Sequence, residues 1–442
     1  MKRAFARGTH TYHGWYVVAV CMIVAIVTAR GAFGVFVIPM SEEFGWGRGA
    51  ISIAASMGFF FHGLMQPLLG KALDRFGGRR VILVSLTIFG LATAALGLTF
   101  HILFVIFMFG VIAGTSFSGT SPANTGALIV KWFRRRRATA VGLNGAGVAL
   151  GGLLIIPLAA YMIQATNWRL AWVTLGLIVL LVAVPLVYLV VHDDPEKLGL
   201  RPDGDAQPPK GDVSPDSNHL AGPLQTSRWR ESFRSWPIWQ ITAGFFADGF
   251  TTSILLVHFV PYGIDRGLSP FAAAIAFGFM MVLNVVGSTT AGLVTDMMQR
   301  KTVLTLIYSL RGYAFIALLL LPGNLELWVF AAVIGFSFMA TTPQTVSLTA
   351  DIYGLSALGI ITGMTVLVRQ IGGASGILIA GYLFDVTGSY TLPFTMAGFL
   401  LLPAVLLSFT IKEQKYSARY QTWPKPAPVL SGCNNNQSIT GA

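Results

Sequence analysis

The hydrophobic positions of this chain fall into long runs that are separated by short polar segments. Apolar stretches of about 20 residues, the length that an α-helix needs to cross a bilayer, recur along the whole sequence. The pattern predicts twelve membrane-spanning helices, at 14–38, 50–70, 80–100, 103–130, 138–163, 169–191, 237–262, 270–294, 302–321, 326–350, 357–383 and 390–411.

A polar segment divides these runs into six and six. It covers 192–236, is rich in Asp, Pro, Gly and Ser, and is predicted to be a loop with one amphipathic turn in RWRESFRSW. The predicted fold is an all-α membrane protein of two pseudo-symmetric six-helix bundles, at 14–191 and 237–411. The flanking segments 1–13 and 412–442 lie outside the bundles, and the second is predicted to be a disordered tail.

Composition favours a bilayer over water as the solvent. Hydrophobic residues make up 54% of the chain and charged residues only 11%, with a mean hydropathy of +0.68, whereas a soluble domain is about 25% charged. The first apolar run follows a basic N-terminus, is longer than the hydrophobic region of a signal peptide and lacks a small-residue cleavage site. We interpret it as a retained first span.

The lysines and arginines predict the orientation in the membrane. If the N-terminus is cytoplasmic, 24 of the 30 cations lie in segments on that side. Only Arg48, Arg169 and Arg266 lie in outer loops, and three further arginines lie within spans. This asymmetry follows the positive-inside rule, so we expect both termini and the loop 192–236 in the cytoplasm.

Other classes of function lack support in the sequence. The net charge is +12, but the cations form short clusters between apolar runs rather than a basic face with aromatic readers, so no nucleic-acid partner is predicted. Cys21 lies in an apolar run and Cys433 in the tail, and no metal-binding spacing of Cys and His occurs. Phosphate-loop and HExxH motifs are also missing from the sequence. We therefore predict neither an enzyme nor a cofactor or metal site, and coupling to an ion or substrate gradient rather than to ATP.

The two halves resemble each other at a fixed offset. GKALDRFGGRR at 70–80 corresponds to GLVTDMMQRK at 292–301, and Pro122 corresponds to Pro343. The offset of 221 or 222 residues also relates Gly142, Gly151 and Gly152 to Gly363, Gly372 and Gly373, which are predicted to let helices five and eleven pack closely. Parallel repeats of this kind are typical of transporters with two rocking halves and a substrate site between them.

Several stretches resemble the major facilitator superfamily. GKALDRFGGRR is similar to the superfamily's signature loop GxxxDRxGxRR, and the degenerate copy GLVTDMMQRK stands at the equivalent place in the second half. The resemblance covers roughly residues 13–411 and implies alternating access. It also implies that Gly70, Asp74, Arg75 and Arg79, with Gly292 and Asp296 in the second copy, form a gating motif at the cytoplasmic side. The alternative is that these cations simply anchor the loop on the positive side of the membrane.

Other stretches are similar to the bacterial branch of monocarboxylate-transporter-like proteins and oxalate/formate exchangers. They are HGWYVV, FGVFVIPMSEEFGWGRGAIS, KWFRRRRATAVGL, DPEKLGLRPDGD and AGYLFDVTGSY. This resemblance implies a multi-pass transporter of the bacterial inner (cytoplasmic) membrane that acts as a monomer on a small carboxylate.

Four charged residues inside the predicted spans are the candidate site. Arg30, Arg311, Arg369 and Asp248 would each cost at least about 2.5–3.5 kcal/mol at the centre of a lone membrane helix, so each should face a partner or a cavity. Pairing Asp248 with one arginine leaves two positive charges, which suits an anion, because a guanidinium matches a carboxylate in two-point geometry.

Depth and family resemblance rank these arginines. Arg369 lies about 12 residues, or roughly 18 Å, from the cytoplasmic end of its predicted span, near the middle of a hydrocarbon core about 30 Å thick. RQIGGASGILIAG resembles the part of helix eleven that begins with the substrate-binding lysine of oxalate/formate exchangers, and Arg369 falls on that cation. Arg30 is the second candidate, whereas Arg311 lies in a span that this fold places at the periphery and is expected to form a structural pair.

The sequence also departs from the family. Monocarboxylate transporters carry an Asp and an Arg one turn apart in helix eight, where this chain has Asn284 and Ser288. The family's helix-eight cation is therefore missing, and Arg369 with Arg30 would have to replace it.

Three further residues complete the predicted site. Asp248 is either the proton-coupling carboxylate, whose protonation responds to burial and to neighbouring arginines, or half of a permanent ion pair. His258 either contributes to proton coupling or gating or forms local hydrogen bonds at a helix end. Asn124, in the cluster GTSFSGTSPANTG, either binds substrate or joins two helices.

These features predict a proton-coupled carrier of a small organic anion, most simply a monocarboxylate, working by alternating access. Its partners would be the carboxylate, the proton and the lipid bilayer. Two alternatives stay open: an anion exchanger or uniporter of the same fold, and a non-transporting membrane sensor that signals through the loop 192–236.

Overall fold

The computed structural model of the protein describes residues 12–133, 136–200, 223–226, 228–320, 325–354, 358–417 and 420. Most of the predicted disordered tail and of the N-terminal segment lies outside these residues, as does about half of the loop 192–236. All the regular structure within the described residues is helical.

Twelve long helical segments account for most of the described chain, and we label them in chain order. They are α1 (His13–Phe44), α2 (Arg48–Phe76), α3 (Gly78–Ala95), α4 (Ile102–Trp132), α5 (Arg137–Ala165), α6 (Trp168–Val190), α7 (Trp236–Asp265), α8 (Pro270–Met297), α9 (Arg300–Leu320), α10 (Glu326–Tyr353), α11 (Leu358–Thr387) and α12 (Thr391–Thr410). Short helical turns at Leu96–Leu98, Pro195–Leu198, Trp229–Ser232 and Glu413–Tyr416 complete the described helices.

The described residues contain 11 helical segments that are long and apolar enough to cross a membrane. The segment not among them is α9, where the ninth span was predicted. The described part of α9 ends at Leu320, just before the predicted end of that span at residue 321. The prediction of an all-helical, multi-pass membrane protein is confirmed, whereas the count of twelve spans stays a prediction.

Three segments contain breaks that the apolar pattern did not reveal. In α1 the helix stops at Val27 and resumes after a 3-10 turn at Arg30–Ala32. In α4 it breaks at Ser121, and in α10 between Ser337 and Thr341. A helix end leaves main-chain groups without intrahelical partners, so side chains have to satisfy them inside a membrane.

The two halves of the chain, α1–α6 and α7–α12, repeat one capping contact. Asp193, just after α6, accepts a hydrogen bond of 2.7 Å from the amide of Arg79 at the start of α3. Glu413, just after α12, accepts bonds of 3.2 and 2.8 Å from the amides of Arg300 and Lys301 at the start of α9. Each carboxylate meets the positive end of a helix dipole, which stabilises that helix end. The equivalent contact in both halves agrees with the repeat in the sequence.

The bundle has two ends that differ in how the halves meet. We call the end where α1 begins and α12 stops the terminal end, and the opposite one the far end. The helix pairs α2–α11 and α5–α8 join the halves. Toward the far end they touch closely: a Cβ added at Gly152 of α5 would overlap Met281 of α8, and one added at Gly381 of α11 would overlap Ser52 of α2.

Toward the terminal end the same four helices separate. An added Cβ would meet no described atom within 4 Å at the glycines of this region, Gly70, Gly142, Gly145, Gly292 and Gly363. The halves are therefore closed against each other at the far end and apart at the terminal end.

Candidate functional site

Asp248 is the centre of a buried ionic network in the second half. Its Oδ1 accepts hydrogen bonds of 2.7 Å from Arg311 Nη1 of α9 and 2.7 Å from Thr341 Oγ1 of α10, and its Oδ2 accepts one of 2.7 Å from Arg369 Nε of α11. The side chains of Asp248 and Arg311 are fully buried. We call Asp248, Arg311, Thr341 and Arg369 the C-half network, because all four residues belong to the second half.

Arg311 has a second partner in the break of α10. Its Nη2 donates to the carbonyls of Ser337 (2.5 Å) and Phe338 (3.2 Å), where the first part of α10 ends. Asn284, at the position of the missing helix-eight charge, accepts a bond of 2.9 Å from the amide of Met339 in the same break. Arg311 therefore forms the structural pair that was expected for it, and it also satisfies the broken helix.

Arg369 is held less completely than Arg311. Its Nε bonds to Asp248, whereas the contacts of its Nη2 with described residues are long, 3.4 Å to Thr252 Oγ1 and 3.9 Å to Met339 Sδ. The side chain is 12% exposed. Gly249 allows this geometry, because a Cβ there would overlap the main-chain oxygen of Arg369. The predicted substrate residue is thus anchored through Nε, with its outer nitrogens weakly engaged.

The number of arginines that pair with Asp248 differs from the prediction. Asp248 was expected to pair with one arginine and leave two, but it pairs with both Arg311 and Arg369. A carboxylate that accepts three hydrogen bonds, two of them from guanidinium groups, is stabilised in its ionised form. The C-half network then carries one net positive charge.

Arg30 lies at the break of α1 and forms no described ion pair. Its guanidinium stands over the rings of Phe59 (3.8 Å) and Phe117 (4.8 Å), and its Nη1 is 3.0 Å from His62 Nδ1. Its Nη2 is buried and has no hydrogen-bond partner among the described residues. Cation–π contacts hold the group in place, but they leave its charge without an opposing carboxylate.

His62 of α2 was missed by the sequence reasoning. Its Nδ1 is 3.0 Å from Arg30 Nη1 and also 3.0 Å from Gln370 Nε2 of α11. We call Arg30, His62 and Gln370 the interface cluster, because Gln370 belongs to the other half and follows Arg369 directly. The signal was a histidine inside the apolar run FFFHGLMQP, near the middle of its span, which the depth argument used for Arg369 would have found.

Asn124, a predicted substrate ligand, is engaged in the break of α4. Its Nδ2 donates to the carbonyl of Ser118 at 2.8 Å, and its Oδ1 lies 3.5 Å from Gln66 Nε2 of α2. The side chain is buried. In this geometry Asn124 joins α4 to α2, as the alternative reading expected of such residues.

His258 lies in a second cross-half network, at the far end. Its Nε2 lies 3.0 Å from the carbonyl oxygen of Ile377, which can only accept, so Nε2 donates this hydrogen bond. Its Nδ1 then accepts a hydrogen bond of 3.1 Å from the phenol of Tyr390. Burial raises the pKa of Tyr390, so the phenol keeps its proton. Arg48 donates to Tyr390 at 3.2 Å and holds Asp265 through two bonds of 2.6 and 2.9 Å.

We call Arg48, Asp265, His258 and Tyr390 the far-end latch. It links the start of α2 to α7 and α12, and Asp385 of α11 adds a bond of 2.8 Å from the amide of Gly49. The sequence predicts Arg48 to be an outer-loop cation and does not reveal these partners. The stretch AGYLFDVTGSY, which carries Asp385 and Tyr390, was the available signal.

The predicted gating motif makes no described contact between the halves. Arg79 donates through Nη2 to the carbonyl of Tyr188 (2.5 Å) in its own half, and Arg75 lies against Phe76. The glycines Gly70 and Gly292 face open space. The side chains of Asp74 and Asp296 lie outside the described part of the structure, so the gating role stays a prediction.

Comparison with known families gives one extensive match. The profile of the Major Facilitator Superfamily matches residues 18–377, which is more than half of the chain.

Curated relatives are transporters at 24–28% identity. The uncharacterized MFS-type transporter YcxA of Bacillus subtilis is 24% identical over 86% of this chain and 90% of its own length. Monocarboxylate transporter 12 of Rattus norvegicus is 28% identical over 68% of this chain and 65% of its own length. The probable sulfoacetate transporter SauU of Cupriavidus necator is 27% identical over 84% of this chain and 86% of its own length.

Among solved structures, the fold is similar to that of a bacterial homologue of the human lysosomal transporter Spinster, in an inward-facing and occupied conformation. The TM-score is 0.71 over 94% of this chain and all of that chain, at 16% identity. At this identity the likeness shows the fold alone.

Proposed function

Because the chain belongs to the major facilitator superfamily and is a membrane transporter rather than an enzyme, we propose that it carries a small organic anion, most simply a monocarboxylate, together with a proton. Two of its relatives are named for organic acids, a monocarboxylate transporter and a probable sulfoacetate transporter. Their names support an anionic cargo, and the chemistry of the buried arginines supports it independently.

The observation that carries the proposal is the unopposed charge of Arg30. Its Nη2 is a buried donor without a described partner, and Arg369 is close enough to act on it electrostatically. A buried guanidinium without a counter-charge is costly, so an anion that binds it gains both Coulomb energy and hydrogen bonds. A carboxylate between Arg30 and Arg369 would take the free donors of both residues.

The proposed coupling follows from the charges of the site. Arg30 and the C-half network together carry two net positive charges when Asp248 is ionised. A monoanion that enters with one proton leaves this sum unchanged, so the loaded and unloaded sites differ little in electrostatic energy. We assign Asp248 to charge balance and to the positioning of Arg369, since its three donors favour the ionised form.

The proposed transport cycle is alternating access in the bacterial cytoplasmic membrane. We propose twelve spans, a monomer as the working unit and both termini in the cytoplasm, as the distribution of cations favours. The terminal end is then the inner side, and the described conformation is inward-facing. The far-end latch would hold the outer side closed, and the gating motif would close the inner side in the opposite state.

Transport in proteoliposomes tests the proposal. With an acidic exterior as the sole gradient, we expect the wild type to accumulate a labelled monocarboxylate such as acetate, lactate or pyruvate. Uptake that requires an internal counter-anion would instead identify an exchanger, and downhill uptake that ignores the pH gradient a uniporter. If no tested carboxylate is transported under any of these conditions, the proposal is contradicted, and the alternative of a non-transporting membrane sensor is favoured.

Substitution of the two arginines tests the site. Arg30→Gln and Arg369→Gln should each lower the apparent affinity about 10- to 100-fold, as a lost charge-assisted bond of about 1.5–3 kcal/mol implies. Arg169→Gln is the matched control, because Arg169 pairs with Glu43 at the exposed far end of the same half. Unchanged affinity in both Arg30→Gln and Arg369→Gln would place the anion elsewhere.

A further inference from the structure

The interface cluster fixes the protonation state of His62. Arg30 Nη1 and Gln370 Nε2 both lie 3.0 Å from the same ring nitrogen, Nδ1. A guanidinium has donors only, so Nδ1 has to present its lone pair. The ring is therefore neutral in the described conformation, with its proton on Nε2.

The charged surroundings of the ring are all cationic. Arg30 from α1 and Arg369 from α11 are the charged groups that act on it. On its own helix the interacting side chain is Gln66, which is uncharged. From α4 the ring meets Phe117 at 5.0 Å, and Ser118 Oγ donates to the main-chain carbonyl of His62. Among the described residues, only cations thus face Nδ1 with a charge, and a second positive charge on the ring is disfavoured unless an anion joins it.

We propose that His62 is the proton-binding residue of the transport cycle and that its Nδ1 binds the proton when the substrate anion reaches Arg30. This inference rests on the proposed function. The carboxylate of the substrate accepts the hydrogen bonds of Arg30, so the bond from Arg30 Nη1 to Nδ1 is lost. The same carboxylate supplies the negative charge that stabilises an imidazolium.

Two unpartnered atoms of the cluster are suited to this exchange. Arg30 Nη2 and Gln370 Oε1 are both buried and have no hydrogen-bond partner among the described residues. Arg30 Nη2 can donate to the incoming carboxylate. If the Gln370 amide turns over, its Oε1 can accept the new N–H of the protonated ring. Arg30 thus exchanges Nδ1 for the carboxylate as its acceptor, and Gln370 changes from donor to acceptor toward Nδ1.

The proton is balanced over one cycle. It enters on the lone pair of Nδ1 in the outward-open state, when Gln370 has moved away with the other half. It leaves to water at the terminal end, when the anion departs and Arg30 regains its bond to Nδ1. Covalent bonds other than N–H are unchanged.

The cluster also lies where the two halves separate. Gly63, next to His62, would meet Gln370 if it carried a Cβ, and beyond it toward the terminal end the glycines Gly70 and Gly363 face open space. The bond from Gln370 to His62 is therefore near the inner limit of the closed α2–α11 contact, so protonation of His62 can respond to the position of the other half.

The test separates coupled transport from exchange. His62→Asn keeps an oxygen acceptor near the place of Nδ1 but cannot bind a proton. We expect this variant to lose accumulation driven by a pH gradient while it retains exchange of labelled for unlabelled carboxylate. His101→Asn is the matched control, because His101 caps the start of α4 at the exposed far end and Asn is also a good cap.

Retained pH-driven accumulation in His62→Asn would overturn the inference, and so would loss of coupling with exchange retained in His258→Gln. If His62→Asn fails to fold, His62→Gln repeats the experiment. If neither variant folds, proton uptake by the purified wild type on adding carboxylate decides. Uptake of no proton per bound anion overturns the inference, as does uptake that disappears in His258→Gln, whereas uptake of one proton that His258→Gln retains supports it. A wild type without flux or binding of any carboxylate refutes the proposed function itself.

Discussion

The C-half network and the interface cluster both place arginines in the middle of the bundle, yet they differ in two ways. In the first, Asp248 opposes two guanidinium groups, and three helices meet on its two oxygens. In the second, Arg30 is held by aromatic rings and a neutral histidine. In the first arrangement a carboxylate opposes both arginines, whereas no described carboxylate opposes Arg30 in the second.

The second difference is how the two arrangements relate to the halves. All members of the C-half network belong to α7, α9, α10 and α11, so rigid-body movement of the halves leaves it intact. The interface cluster joins α1 and α2 to Gln370 of α11, so the same movement has to break it. Under the proposed cycle, the C-half network would therefore set the charge of the site, while the interface cluster would respond to which side is open.

The largest effect is expected from Asp248→Asn, which leaves Arg311 and Arg369 without their carboxylate. Removing one partner of a buried ion pair costs about 3–5 kcal/mol, so we expect a large fall in the thermal unfolding temperature of the detergent-solubilised protein. Arg30→Gln should change that temperature far less, since Arg30 opposes no described carboxylate. A wild-type unfolding temperature in Asp248→Asn, or an equally large fall in Arg30→Gln, would remove the distinction between the two arrangements.

The sequence predicted the C-half network better than the interface cluster. The cost of a charge in a membrane identified Asp248, Arg311 and Arg369 as residues that need partners, and the structure pairs them. What the pattern could not show was the break in α10. This break gives Arg311 its carbonyl partners and brings Thr341 onto Asp248.

The interface cluster was not predicted, because not all of its members carry a formal charge. His62 and Gln370 are polar residues in apolar runs, and a count of Asp, Glu, Lys and Arg passes over them. The 3-10 turn at Arg30 gives no signal in hydropathy either. The fold itself was accessible, since runs of about 20 apolar residues have few structural solutions in a bilayer. Contacts between distant helices depend on packing that one sequence does not encode visibly.

A smaller effect is expected when the far-end latch is weakened. Arg48→Gln removes both bonds to Asp265 and the bond to Tyr390, so the far ends of α2 and α11 should separate more often. The C-half network should survive this change, whereas the interface cluster should lose Gln370. We expect a Cys placed at Ser56, which now donates to Ala374 of α11, to react several-fold faster with a membrane-impermeant maleimide.

Arg169→Gln is the matched control for the latch. Arg169 and Glu43 form an ion pair at the same end of the bundle but within one half. The labelling is done with Cys433→Ser, and the other native cysteine, Cys21, is buried. Equal labelling of Ser56→Cys in the Arg48→Gln and Arg169→Gln backgrounds would show that the latch does not hold the halves together.

The smallest effect is expected from Thr341→Val, which removes one of the three donors to Asp248 and conserves volume. Two guanidinium groups still oppose the carboxylate, so the loss should be limited to that of one charge-assisted bond, about 1.5–3 kcal/mol. The apparent affinity for the anion should be unchanged, because Arg369 keeps its bond through Nε. Unfolding temperature and uptake kinetics measured on the same preparation check both statements. A loss as large as that of Asp248→Asn would mean that the hydroxyl, rather than the ion pairs, organises the network. Reduced affinity at normal stability would mean that Thr341 orients Arg369 through the carboxylate of Asp248. The binding site would then include α10 as well as Arg369.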